Sequence, residues 1–182
     1  MWRRVKAKQA SELGLEYKEL KVSGFMSMDK VKKYLKQFNM EGKVIEFPVS
    51  SATVELAAEA AGVIPARICK TLSFRAPTGC ILVGTAGDAK IDNSKFKSAF
   101  GFKGSMLTPE EVLDYTGYEV GGVCAFGIER SDVKIYTDVS MKRFDTVFPA
   151  CGSANSAIEL TCDELFNLSK ALEWVDVCKG WQ

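Results

Sequence analysis

Lys70 stands in the alternating run Ile68-Cys69-Lys70-Thr71-Leu72-Ser73-Phe74, where lysine is a poor choice for a β-strand. On a solvent-facing strand it would be an ordinary surface residue. On a strand lining a cleft, its ammonium would instead hold a phosphate or a carbonyl oxygen. Two glycine loops offer a second kind of chemistry, Gly121-Gly122-Val123-Cys124-Ala125-Phe126-Gly127 and Cys151-Gly152-Ser153-Ala154-Asn155-Ser156. Such clusters are usually turns that need positive φ. They can also present unobstructed backbone N–H groups to an anion or a developing oxyanion. Cys124 and Cys151 lie in these loops, but the chain contains no histidine to activate a thiol. The same count removes Ser-His and Cys-His pairs, His-ligated zinc and His proton switching within the chain. Chemistry must therefore come from lysine, carboxylates, hydroxyls, thiols, backbone groups, water or the substrate itself. The stretch Gly84-Thr85-Ala86-Gly87-Asp88-Ala89-Lys90 invites a phosphate-loop reading but lacks the G-x-x-x-x-G-K-[ST] spacing. A strand-ending turn before a helix is the preferred reading.

The elements that must position these groups are legible from about Met28. Met28, Val31, Leu35 and Phe38 recur at helical spacing, with Lys30, Lys32, Lys33 and Lys36 on the remaining faces. Val44–Phe47 reads as a strand stopped by Pro48. Ser50, Ser51 and Thr53 are N-cap candidates for a helix that buries Val54, Ala57, Ala58 and Ala61 and closes at Gly62. Cys69–Ala76 and Cys80–Thr85 predict a hairpin around Pro77-Thr78-Gly79. Asp92 caps a helix through Phe100. Thr108-Pro109-Glu110-Glu111 and Thr161-x-x-Glu164 are capping boxes, the second opening a helix that carries Leu165, Leu168 and Leu172. Val133–Thr137 and Val147–Ala150 suggest further strands. Alternating strands and helices with one hairpin predict a single α/β domain with a mixed β-sheet and flanking helices.

Composition bounds the class. The chain has 182 residues, 47% apolar and 26% charged, with net charge +1, which fits one ordinary globular domain and argues against disorder. That balance also argues against a histone-like DNA binder, although a local basic patch could still meet a phosphate. Residues 86–104 offer such a patch, with Lys90, Lys95, Lys97 and Lys103 against Asp88 and Asp92. A solvated helix face is the alternative for that stretch. Six cysteines without C-x-x-C spacing read as free thiols in a reducing compartment. No apolar run approaches the ~18 residues of a membrane span. The basic start MWRRVKAKQ lacks an apolar signal core, and Glu12, Glu16 and Glu19 weaken a transit-peptide reading. A cytoplasmic protein without metal or cofactor is the expectation, with residues 1–25 as an N-terminal extension, peripheral or artefactual, and 26–182 as the domain.

Taken in order, several motifs become specific together. Ser51-Ala-Thr53-Val-Glu-Leu-Ala-Ala-Glu-Ala, Ile68-Cys-Lys70-Thr71-Leu72, Leu82-Val-Gly-Thr-Ala-Gly-Asp88, Thr116-Gly-Tyr-Glu-Val-Gly121-Gly122-Val-Cys-Ala-Phe-Gly127 and Cys151-Gly152-Ser153-Ala-Asn155-Ser156-Ala-Ile-Glu-Leu resemble the YbaK/prolyl-tRNA-synthetase-associated editing domains. The resemblance covers about residues 28–172. It implies a mixed-sheet α/β domain with a central pocket, hydrolysing the ester between a wrongly attached amino acid and the 3' end of tRNA. An aminoacyl-tRNA synthetase is an implied partner. Lys70 matches the family lysine, with Gly121, Gly122 and Gly152 as the implied catalytic backbone. Ser51, Thr53, Phe126, Gly127, Ser153, Asn155 and Ser156 are the implied substrate contacts. The common Cys-Pro-Phe-Gly form of the first loop reads Cys124-Ala125-Phe126-Gly127 here. The second loop has neither the histidine nor the Gly-Arg/Lys-Arg-Gly pattern of other members, so amino-acid specificity does not carry over. A non-catalytic member of the family that senses aminoacyl-tRNA or a free amino acid is the alternative reading.

Overall fold

The computed structural model describes the backbone of residues 17–181 and the side chains from Met26 onward. Of the extension expected at residues 1–25, residues 1–16 lie outside the described part, and the backbone from Tyr17 already belongs to helix α1 (Tyr17–Lys36). The apolar stripe of α1 is as expected, with Met28, Val31 and Leu35 each at most 2% exposed. Phe38 falls beyond the helix end, half exposed, and packs against Tyr34.

The predicted hairpin forms the centre of the molecule. Strand β2 (Ile68–Ala76) pairs antiparallel with β3 (Gly79–Ala86), from Ala76↔Gly79 to Cys69↔Ala86. Every residue of β3 after Gly79 is buried. Ile81 and Val83 enter one apolar cluster, Cys80 and Leu82 another. Successive side chains on a strand point to opposite faces, so this sheet is covered on both sides. Each fully buried aliphatic side chain there contributes about 1.5–3 kcal/mol. Around the hairpin, β5 (Val133–Asp138) runs parallel to β3 and β6 (Thr146–Pro149) parallel to β2. The six-stranded mixed sheet is completed by β8 (Leu160–Thr161) beside β6 and β9 (Trp174–Val175) beside β5.

Two short ribbons lie outside this sheet. Strand β1 (Val44–Glu46) pairs with β7 (Ser156–Ile158), and β4 (Lys90–Ile91) pairs with β10 (Cys178–Lys179). The helices follow their caps. Thr53 Oγ1 accepts from Leu56 N at the start of α2 (Val54–Ala61), and Asp92 caps α3 (Asn93–Phe100). Both capping boxes form, at α4 (Pro109–Thr116) and α5 (Cys162–Ser169). The last helix ends earlier than its leucine spacing suggests. Lys170 adopts φ +52° and Leu172 N donates to Ile135 O at 2.8 Å, so Leu172 leaves the helix and is 58% exposed. All six cysteines are free thiols. No helix among the described residues is long and apolar enough to cross a membrane.

Candidate active site

The two glycine loops meet backbone to backbone. A Cβ placed on Gly122 would lie 2.9 Å from the carbonyl carbon of Gly152 and from the backbone of Ser153. One on Gly152, which has φ +84°, would lie 2.7 Å from Ser27 O on α1. Side chains larger than hydrogen are therefore excluded where the loops touch. Around this contact lies a small, partly open cleft of about 30 Å³. Ser27 of α1 lines it, with Glu119 and Val120 just ahead of Gly122, and with Gly152, Ser153 and Ala154.

The second loop is braced by its own polar groups. Ser153 Oγ donates to Asn155 Oδ1 at 3.0 Å and lies 2.7 Å from Ser156 Oγ. Asn155 Nδ2 donates to Phe47 O at 3.1 Å, and Ser51 N donates to Ala154 O at 2.6 Å. Ser51 thus contributes through its backbone, Thr53 as a helix cap, and Asn155 and Ser156 as loop braces. Phe126 was expected at the substrate and sits in the core instead. Its ring is 0% exposed and its carbonyl accepts from Tyr118 Oη at 2.5 Å. Gly127 is likewise buried, against Tyr34. An apolar ring among buried residues takes the place with the larger hydrophobic gain.

Lys70 does not line the cleft. It is half-buried on β2, opposite Thr85 of β3, and its ammonium donates to Gly87 O at 2.9 Å and Ala89 O at 2.5 Å. An ammonium has three N–H donors, so a third remains for another acceptor. Burial lowers its pKa from the ordinary lysine value, opposed by the charges of Cys178, Asp88 and Glu55 and assisted by Lys90. One short segment bridges this lysine and the glycine loops. A Cβ on Gly121 would meet Ala52 Cβ at 3.1 Å, and one on Gly87 would meet Val54 Cγ1 at 2.7 Å. Residues 52–54 therefore touch the first glycine loop at one end and the lysine's turn at the other.

The carbonyls of Gly87 and Ala89 were the site groups least legible in the sequence, because that stretch read as a plain strand-ending turn. It is a turn, and it carries the lysine's partners. Ser27, Glu119 and Val120 were also not singled out. Glu119 and Val120 lie inside the Thr116–Gly127 motif, whereas nothing in the sequence marks Ser27. The thiols are poor nucleophiles. Burial pushes Cys124 up to about 12 and Cys151 well above its ordinary value. In the basic stretch 86–104, Lys95 pairs with Asp176, while Asp88 and Asp92 pair with Arg143 and Lys179 from elsewhere in the chain. Among the described residues, no three His, Cys, Asp or Glu side chains converge as a metal site.

These features can be compared with known proteins. The chain is 56% identical over 158 residues to the uncharacterized YwhH protein of Bacillus subtilis (strain 168), covering 86% of this chain and all of YwhH. It is 26% identical over 164 residues to the proline--tRNA ligase of Thermotoga maritima, covering 82% of this chain and 28% of that enzyme. A crystal structure described as "a putative trans-editing enzyme for prolyl tRNA synthetase" superposes with a TM-score of 0.76 at 30% identity, covering 85% of this chain and 98% of the other. Residues 49–168, which hold Lys70, both glycine loops and the bridging segment, match the aminoacyl-tRNA editing domain. This chain belongs to the aminoacyl-tRNA editing domain family.

Proposed function

We propose that this protein is a freestanding deacylase that hydrolyses mischarged aminoacyl-tRNA. Alanyl- and cysteinyl-tRNA for proline are the first substrates to test. The observation that carries this reading is the close contact of the two glycine loops over a small cleft, bridged by residues 52–54 to a lysine with an uncommitted N–H. The likeness to a prolyl-tRNA ligase and to a structure described as a trans-editing enzyme supports the choice of tRNA. The reading places the protein in the cytoplasm, with a synthetase as a further partner.

The chemistry needs no histidine. Water, oriented by the neighbouring ribose hydroxyl, attacks the ester carbonyl, and the bond to the esterified ribose oxygen breaks. The departing oxygen takes a proton, and the free amino acid leaves as its carboxylate. Backbone N–H groups of the glycine loops stabilise the oxyanion, each contributing about 10²–10³-fold. The Lys70 ammonium holds a substrate phosphate or carbonyl oxygen. The substrate's own amine or hydroxyl serves as base.

The test is deacylation of a panel of mischarged tRNAs with correctly charged tRNAs as controls. Turnover of at least one mischarged member is the expected result. Lys70-dependent binding without turnover of any member would make the protein a sensor.

Thiols are bystanders in this mechanism. Cys124→Ser and Cys151→Ser are each expected to leave kcat/KM within about tenfold of wild type, about 1.4 kcal/mol at most. Loss of activity with an intact fold would restore a covalent route. RNA affinity rests on few phosphates, since net charge is +1 and both Lys95 and Arg143 are already paired with carboxylates. A plot of log K against log salt is expected to have a slope of about −3 or shallower, where a protein making 6–10 contacts gives roughly −5 to −9. A slope near −8 would contradict this.

A further inference from the structure

The turn that holds the Lys70 ammonium is fixed from both sides. On one side a Cβ on Gly87 would lie 2.1 Å from Pro65 O, so the backbone of the turn rests directly on the segment leading into β2. On the other side Arg143 grips the turn at its middle residue. Its Nη1 and Nη2 donate to the two carboxylate oxygens of Asp88 at 3.1 and 2.6 Å. The same guanidinium donates through Nε to Ser140 O at 2.8 Å and through Nη1 to Trp181 O at 2.7 Å. It also lies over the rings of Phe144 and Trp181, at 4.8 and 5.1 Å. Four hydrogen bonds and two ring contacts thus fix the guanidinium against the turn.

Its footing is equally well tied. Ser140 Oγ accepts from Ala86 N at 3.2 Å, where β3 enters the turn. The fully buried Asp138 carboxylate accepts from Ser140 N at 2.9 Å and from Val177 N at 2.8 Å. Val177 precedes β10, whose partner β4 begins one residue after Ala89. Both ends of the turn are therefore anchored to the Asp138–Arg143 corner.

We propose that Arg143 and Asp88 are positioning residues for Lys70, bracing the Gly87–Ala89 turn so that its two carbonyls aim the ammonium at the substrate. The inference rests on the deacylase reading above. The Arg143 and Asp88 side chains are 27% and 35% exposed, and an ion pair that open to solvent adds little to stability. The brace therefore acts on geometry more than on folding. Small displacements matter to a group that must meet a reacting carbonyl, where a 1 Å error can cost 10²-fold.

The titratable groups facing Lys70 are Asp88 and Lys90 from the turn and β4, Glu55 from α2, and the Cys178 thiol from β10. Removing the Asp88 carboxylate leaves burial less opposed, so the lysine loses its proton at lower pH than in wild type. Arg143→Gln loosens the same turn without touching a charge that faces Lys70 in that set. Arg143→Lys keeps the positive charge without the fork and serves where Arg143→Gln folds poorly.

The experiment follows Lys70 directly, by NMR titration of lysine labelled with ¹³C at Cε, assigned with Lys70→Arg and measured on the free protein. Deacylation kinetics are measured on the same variants. Asp88→Asn is expected to move the Lys70 titration to lower pH. It and the Arg143 variants are each expected to lower kcat about tenfold or more, with KM less affected and the melting temperature nearly unchanged. An unmoved Lys70 titration in Asp88→Asn overturns the brace. So does wild-type kcat in Asp88→Asn and the Arg143 variants when Lys70→Ala is inactive. Wild-type activity in Lys70→Ala would instead overturn the deacylase role of that lysine, and the titration of the free protein would still decide the brace.

Discussion

Lys70→Ala is expected to lower kcat/KM for mischarged-tRNA hydrolysis by at least about 10²-fold, near 2.7 kcal/mol, while the protein still folds. The fold survives because the lysine packs no large apolar volume, and the carbonyls it leaves belong to Ala89 and a partly exposed Gly87. Activity does not survive, because no other cation bonds that pair of carbonyls among the described residues. Lys70→Arg is expected to rescue poorly. The ammonium fits between Gly87 O and Ala89 O at 2.9 and 2.5 Å, and a planar guanidinium cannot take that site without moving the turn. The pH profile carries a second signature. Burial lowers the Lys70 pKa, so the charged form, and the activity that depends on it, is lost as pH rises through a value below the ordinary lysine ~10.4. Single-turnover deacylation of the three proteins across the alkaline range reads both effects. Wild-type rates in Lys70→Ala would remove the lysine from the mechanism.

Much of this site was legible because it is built from local signals. The Thr108 and Thr161 capping boxes need only residues three apart, and both formed as read. The hairpin needs only Pro77-Thr78-Gly79 between two alternating runs, and its register follows from that turn. Lys70 could be picked out because a charge among strand formers is locally out of place. What could not be read is what depends on distant parts of the chain. The parallel neighbours of the hairpin, β5 and β6, arrive from about 50 to 80 residues away, and no local pattern specifies their order. The ribbon of β4 with β10 joins residues about 90 apart through two pairs. Phe126 shows a different limit. Its place in a glycine-rich motif suggested a substrate contact, yet an aromatic side chain gains from full burial, and the core holds its ring. The Gly87 turn shows why the lysine's partners were missed. They are backbone carbonyls, and a carbonyl has no residue type to recognise.

Gly122→Ala is expected to lower kcat/KM by about 10²-fold or more, with a stability loss of about 1–3 kcal/mol. The added methyl would enter within 2.9 Å of three backbone atoms of Gly152 and Ser153, and backbone cannot rotate away as a long side chain can. The two loops must separate, and the cleft they line must widen or shift. If both loops supply donors to one oxyanion, separating them removes at least one, which is the source of the activity loss. Gly152→Ala adds a different penalty, since φ +84° is strained for a residue with a Cβ and Ser27 O lies 2.7 Å away. Its effect on stability is therefore expected to be the larger of the two. Gly62→Ala is the control, a glycine with φ +67° at the C-cap of α2 whose Cβ would meet nothing within 4 Å. It shares the backbone strain without the loop contact. Thermal melts and deacylation rates of the three variants separate the contributions. Loss of stability alone in Gly122→Ala, with wild-type kcat/KM below its melting temperature, would show that the loop contact holds the fold and not the oxyanion.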